Sequence, residues 1–274
     1  MDALKQHYTH GGLAEAILDS LAAAGKDLAR LAPADLAPVD EFHIGGRPAT
    51  IDFAGRLPVE PKTPLLDIGC GLGGASRYFA AERDCRVTGI DLTEEYVRVA
   101  TELARLVGLS HRVSFIHGSA VALPFAPASF GGAIMLHVGM NIDDKGQLFG
   151  EVRRVLRPGA VFGIYDVMRE AEGSLAYPLP WASTPDTSFL ATANTYGALL
   201  QQAGFEIVGR RSRREFALAG FAAMRARAAQ GDAAAPLFGL HIVMGAEAGS
   251  KTANLMDQVE RGLIAPTEII CRAV

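Results

Sequence analysis

The sequence predicts an α/β protein built on a doubly wound, mostly parallel seven-stranded sheet. Three observations predict it. From Pro64 onward short apolar runs alternate with longer stretches at helical spacing, the rhythm of strands joined by helical crossovers. The first run, Leu65–Ile68, leads directly into a glycine loop that opens a helix. The 274 residues, 49% hydrophobic and 20% charged, are enough for one sizeable buried core and exclude wholesale disorder.

The elements follow in order. Leu13, Ile17, Leu18 and Leu21 fall at helical spacing, with Gly25 as a stop. A short amphipathic piece from Leu28 to Leu36 is broken by Pro33 and Pro38, residues 40–47 (DEFHIGGR) read as a loop, and Ala49–Leu57 forms a short helix. Residues 1–62 are thus expected as an N-terminal helical cover. The core, residues 63–213, takes strands at Leu65–Ile68, Arg86–Ile90, Val113–His117, Gly132–Leu136, Ala160–Asp166 and Phe205–Arg211. Its helices are expected at about Gly74–Glu82, Glu94–Val107, Asp143–Leu156 and Thr192–Ala203, with a turn at Arg157-Pro158-Gly159. Residues 214–263 form a mainly helical insertion on the acceptor side. Residues 264–274 return as the last strand, with Pro266 near its start, where a missing N–H is tolerable.

Composition bounds the function. A net charge of −4 and a pI of about 6.0 give no global footprint for nucleic acid. The basic run Arg210-Arg211-Ser212-Arg213-Arg214 is read as a solvated strand end. No apolar run reaches the roughly 18 residues of a membrane span, and MDALKQHYTHGG lacks a signal-peptide layout, so a cytoplasmic protein is expected. Cys70, Cys85 and Cys271 show no disulfide or zinc spacing, and His7 and His10 are not read as ligands, so no metal is expected.

The chemistry gathers at the loop LLDIGCGLGG, residues 65–74. Gly69, Gly71 and Gly74 satisfy GxGxxG after a strand and before a helix. Glycines permit the tight turn and close approach of a ligand to the backbone. Asp67, two residues ahead, is the informative departure, because a carboxylate there would repel a pyrophosphate. It suits a ligand with an amino group and no phosphate, such as S-adenosylmethionine. Asp91, about 20 residues beyond the loop at a strand end, has the spacing of an acid that bonds a ribose diol.

These motifs, with VTGID, the Leu123-Pro124-Phe125 segment followed by Ser129-Phe130, and VLRPGAVFGIYD, come in the order and spacing of the class I S-adenosylmethionine-dependent methyltransferases, which the chain resembles over roughly residues 40–210. The small-molecule branches with the ubiquinone/menaquinone C-methyltransferases and the sarcosine/dimethylglycine N-methyltransferases are the most similar. The resemblance implies a Rossmann-like methyltransferase fold and S-adenosylmethionine as cofactor, leaving as S-adenosylhomocysteine. It implies that Asp67, Gly69, Cys70 and Gly71 line the methionine end, that Asp91 and Leu92 hold the ribose and flank the adenine, and that Ser119 and Ala120 meet the adenine edge. Ser119 departs from the Asp of many relatives and offers a hydroxyl without charge assistance.

His137, at the end of the fourth strand, falls on the border between cofactor and acceptor. It is either the base that takes the acceptor's proton or a wall residue touching the cofactor through its backbone. Tyr8 and His43, in the cover, and Tyr177, Trp181 and His241 are candidates for the acceptor pocket, Trp181 otherwise a buried anchor. A small-molecule acceptor, no nucleic acid or membrane partner and a possible homodimer complete the expectation. Two alternatives are a nicotinamide-dependent oxidoreductase, disfavoured by Asp67 and the lack of a catalytic Tyr–Lys pair, and a non-catalytic subunit of the same fold.

Overall fold

The structure, a computed structural model, describes residues 12–229 and 239–274. Its sheet has seven strands in the order β3-β2-β1-β4-β5-β7-β6: β1 Pro64–Ile68, β2 Arg86–Asp91, β3 Val113–His117, β4 Phe130–Leu136, β5 Leu156–Arg169, β6 Phe205–Ser212 and β7 Ile264–Ala273. The first five pair in parallel, and β7 enters antiparallel between β5 and β6. Chain order reverses between β1 and β4, which opens a crevice beyond their carboxyl ends, where β1 runs into the glycine loop.

Side-chain alternation decides which face each residue serves. Leu66, Ala133, Met135, Phe162 and Ile164 face one core, closed by α6 (Lys145–Val155) and α7 (Ala193–Gln202). Their neighbours Leu65, Ile134, Val161 and Tyr165 face the other, closed by α3 (Gly46–Arg56), α4 (Gly74–Glu82) and α5 (Glu94–Leu106). Burial on both faces is why the strands read as unbroken apolar runs.

The cover consists of α1 (Leu13–Ala23) and α2 (Pro33–Asp40), whose Leu13, Ile17, Leu36 and Val39 pack with Tyr96 and Val99 of α5. Pro33, expected to break this segment, instead opens α2 at its first turn, where its missing N–H costs nothing. The insertion supplies α8 (Arg214–Ala229), α9 (His241–Met244) and α10 (Ala248–Glu260). It clamps the cover: a Cβ on Gly45, φ +89°, would lie 2.3 Å from the Phe216 ring of α8.

Two local expectations are corrected. Arg157-Pro158-Gly159 lies inside β5 rather than in a separate turn, at a register shift against β4. The basic run is no solvated end. Arg213 is 6% exposed and, with Arg211 and Arg56, surrounds Glu268 of β7, 1% exposed, while Asp52 of α3 bonds Arg211 and Arg213. Desolvated charges of this kind persist only when paired. Among the described residues no helix is long and apolar enough to cross a membrane.

Candidate functional site

A cavity of about 550 Å³ occupies the crevice, a size that suits a cofactor with a small second ligand. The glycine loop forms its floor. Gly69 N–H and Cys70 N–H both donate to Ile90 O, Gly73 N–H donates to Cys70 O, and Gly71 N–H donates to Asp91 Oδ2 at 2.9 Å. The amides of residues 69, 70, 71 and 73 are therefore bonded within the protein, and the carboxylates of Asp67 and Asp91 border the cavity. Gly69 is required by packing as well as by its φ of +65°, since a Cβ there would lie 2.4 Å from Val138.

Asp67 is buried and accepts from Ser76 Oγ at 2.6 Å. Burial, with the charges of Glu41 and Asp91 adding to it, pushes its carboxyl up to about 7. Asp91 also accepts from Thr93 N–H at 2.8 Å, and burial raises its carboxyl despite these bonds. Each Asp91 oxygen thus accepts one backbone N–H, and the Thr93 side chain adds a further bond to the carboxylate.

The sequence candidates divide. Asp67, Gly69, Cys70, Gly71, Asp91, Leu92, Ser119, Ala120, His137 and His43 all line this cavity. Ser119 Oγ lies 3.4 Å from Val121 N, within the short turn that presents Ser119 and Ala120. Burial raises the Cys70 thiol well above its usual range, which keeps it protonated.

His137 is placed at the border but cannot serve as the base in this arrangement. Its Nε2 accepts the Ile44 N–H at 3.3 Å and its Nδ1 faces Tyr165 O at 3.3 Å, so Nδ1 carries the hydrogen and neither nitrogen is left for an acceptor's proton. Burial, followed by the charge of His43, holds the imidazole well below its usual pKa. Its φ of +55° is left-handed, a strained state for a residue with a Cβ, and is fixed by a 2.7 Å bond from His137 N–H to Tyr165 O.

Trp181 is a buried anchor, 2% exposed, in an apolar cluster with Ile44, Met140 and Met256, and its Nε1–H donates to Ser188 Oγ at 3.0 Å. Tyr177 packs against the same cluster, away from the cavity wall. His241 is exposed on α9, and Val243, two residues on, takes the cavity position instead. Tyr8 lies outside the described residues, as do His7 and His10.

The residues that sequence reasoning missed complete the cavity wall. Glu41 and Phe42 come from the loop after α2, and Asn141 from the 3₁₀ turn Gly139–Asn141 after β4. Asp186, Thr187 and Phe189 come from the loop after β5. Lys145, 5% exposed, ties these walls together: Nζ donates to Ile142 O at 2.7 Å and to Phe189 O at 2.5 Å. The acid before the histidine in DEFHIGGR, and the run MNIDDK that supplies Asn141 and Lys145, carried that signal without a periodicity to reveal it.

Residues 66–164 match the family described as a methyltransferase domain. Over 114 residues, 42% of this chain, the sequence is 32% identical to the sterol 24-C-methyltransferase ERG6B of Gibberella zeae, covering 30% of that protein. An O-methyltransferase of Pyrenophora dematioidea is 27% identical over 176 residues, 62% of this chain and 64% of that one. The chain spans 30% to 36% of the length of the first curated relatives it matches. Among solved structures, the geranyl diphosphate C-methyltransferase of Streptomyces coelicolor superposes with a TM-score of 0.71 at 14% identity, covering 100% of this chain and 97% of that one. The [4+2]-cyclase SpnF superposes at 0.65 with 22% identity, covering 96% and 94%. These likenesses establish a shared fold.

Proposed function

We propose, for a chain that carries a methyltransferase domain over residues 66–164, that it uses S-adenosylmethionine to methylate a small-molecule acceptor. The observation that carries this reading is the loop whose amides at residues 69, 70, 71 and 73 are spent internally while Asp67 and Asp91 border the cavity. A pyrophosphate needs the reverse: free amides and no nearby anion. A ligand with a sulfonium, an ammonium and a ribose fits the donor set present, which also disfavours a nicotinamide cofactor.

When bound, S-adenosylmethionine supplies a methyl group already activated by its sulfonium sulfur. The chain's own work is then alignment and exclusion of water. Asp91 offers its carboxylate to the ribose hydroxyls, and Leu92 with Ser119 and Ala120 brackets the adenine. Asp67 and the glycine loop take the methionine end. His137 and Tyr165 grip the cover at Ile44, through its N–H and its carbonyl, and so close the cavity over both ligands.

Phe42, Asn141 and Phe189 face the acceptor. No described residue of the cavity wall is Lys or Arg, whereas Asp143, Asp144 and Asp186 stand on it. The acceptor is therefore neutral or cationic, and a phosphorylated one would meet no counter-charge. Thermal shift tests the reading: S-adenosylhomocysteine should raise the melting temperature and NAD should not. A shift with NAD alone would overturn it.

A further inference from the structure

Glu41 has no part in the steps above, yet one oxygen of its carboxylate, on the cavity wall, is left without a partner. The side chain is 1% exposed. Its Oε2 accepts the Thr50 hydroxyl at 2.7 Å and lies 2.9 Å from His43 Nε2. Thr50 spends its hydrogen on Glu41 while its oxygen sits 2.9 Å from the same ring nitrogen, so His43 Nε2 carries a hydrogen aimed at both oxygens. Against the pull of burial, these bonds from His43 and Thr50 hold Glu41 below the usual carboxylate range, and it is ionised at neutral pH.

Oε1 of the same carboxylate is buried and has no hydrogen-bond partner. Leaving a buried charged acceptor unpaired forfeits its hydration with nothing in return. Glu41 lines the same cavity as Asp67, and its charge acts on Asp67 more strongly than that of Asp91 does. Both carboxylates stand on a wall without Lys or Arg; the charge of Arg47, off that wall, also acts on Glu41, but no side chain bonds Oε1, which suits a cation from outside the chain.

We propose that Glu41 Oε1 receives the primary ammonium group of the cofactor's methionine moiety, sharing that charge with Asp67. This rests on the cofactor reading above and adds to it a ligand contributed by the cover instead of the sheet. Because Glu41 follows α2 directly, cofactor binding and closure of the cover become one event: the ammonium is held only when residues 41–46 are seated.

Calorimetric titration tests this with two nucleosides, S-adenosylhomocysteine and 5′-methylthioadenosine, which shares the adenosine and thioether and lacks the amino-acid end. Glu41→Gln should weaken S-adenosylhomocysteine by about tenfold or more, the worth of a charge-assisted hydrogen bond, and 5′-methylthioadenosine by less than about twofold. Glu41→Asp keeps the charge but withdraws it by one methylene, and should show the same selective loss in smaller degree. If the Gln variant does not fold, the Asp variant decides by that ratio. Unchanged affinity for S-adenosylhomocysteine in a folded variant, or equal loss of both nucleosides, would overturn the proposal. A wild-type protein that binds neither nucleoside overturns the cofactor reading itself.

Discussion

His137 and Tyr165 together grip one residue of the cover: His137 Nε2 accepts the Ile44 N–H at 3.3 Å, and the Tyr165 hydroxyl donates to Ile44 O at 2.8 Å. His137 directly follows β4 and Tyr165 lies in the neighbouring β5, and their rings meet edge to face with centroids 4.9 Å apart. The cavity's closure is thus built into the carboxyl edge of the sheet.

Tyr165→Phe removes one side of this grip. The Ile44 carbonyl loses its donor, at a cost of about 1–3 kcal/mol. Hydrogen exchange at the Ile44 amide should accelerate and the melting temperature should fall. An unchanged exchange rate would show that the cover is held elsewhere.

Acid should weaken the same grip. Burial holds His137 below its usual pKa in the folded chain, so the unfolded chain binds more protons on the acid side of neutrality. Stability from this group is complete above about pH 6.5 and is lost as pH falls toward the folded value. His137→Gln should flatten that part of the stability profile measured by urea unfolding. A profile identical to wild type would remove His137 from the account.

Asp67 acts with the opposite sign. Its carboxyl is raised to about 7 in the folded chain, which therefore binds more protons than the unfolded chain between about pH 4 and 7. Stability falls as pH rises through that window. Asp67→Asn should raise the stability of the ligand-free protein at pH 8 while weakening S-adenosylhomocysteine. Loss of both, or gain of both, would contradict the role of Asp67 as a carboxylate reserved for a cation.

How far the sequence reaches depends on the range of the interaction. The path from Leu65 through Gly69 and Gly71 to Asp91 was legible because each residue answers to a neighbour within about one βαβ unit. Trp181 was not, because an aromatic residue between prolines has no periodicity to say which way it faces, and its anchor partners Ile44 and Met256 are far away in sequence. The arginines at 211 and 213 read as a solvated end for the same reason. Their counter-charges, Asp52 and Glu268, come from an earlier helix and the last strand. His137 was located correctly at the strand end, but the bonds that occupy its ring belong to Ile44 and Tyr165, and neither is visible from its own segment.

Trp181→Ala should expose the difference between anchor and pocket. Emptying a fully packed indole site costs about 3–5 kcal/mol. In protein that remains folded, affinity for S-adenosylhomocysteine should change little, because the side chain is not on the cavity wall. A large affinity loss at unchanged stability would return Trp181 to the site.

Glu268→Ala should destabilise by about 3 kcal/mol, because Arg213 is left buried with only Asp52 beside it. Chemical denaturation measures it directly, and a neutral result would mean that Asp52 alone neutralises the cluster.

Asp91 and the internally bonded glycine loop are proposed to hold an adenosyl sulfonium cofactor. Calorimetric titration of S-adenosylhomocysteine into wild type and Asp91→Ala, each checked for a cooperative melt, tests it most directly. Wild type should bind at one site per chain, and the folded variant should lose about tenfold or more in affinity, the ribose having lost a charged acceptor. Equal affinity in the two proteins would contradict it.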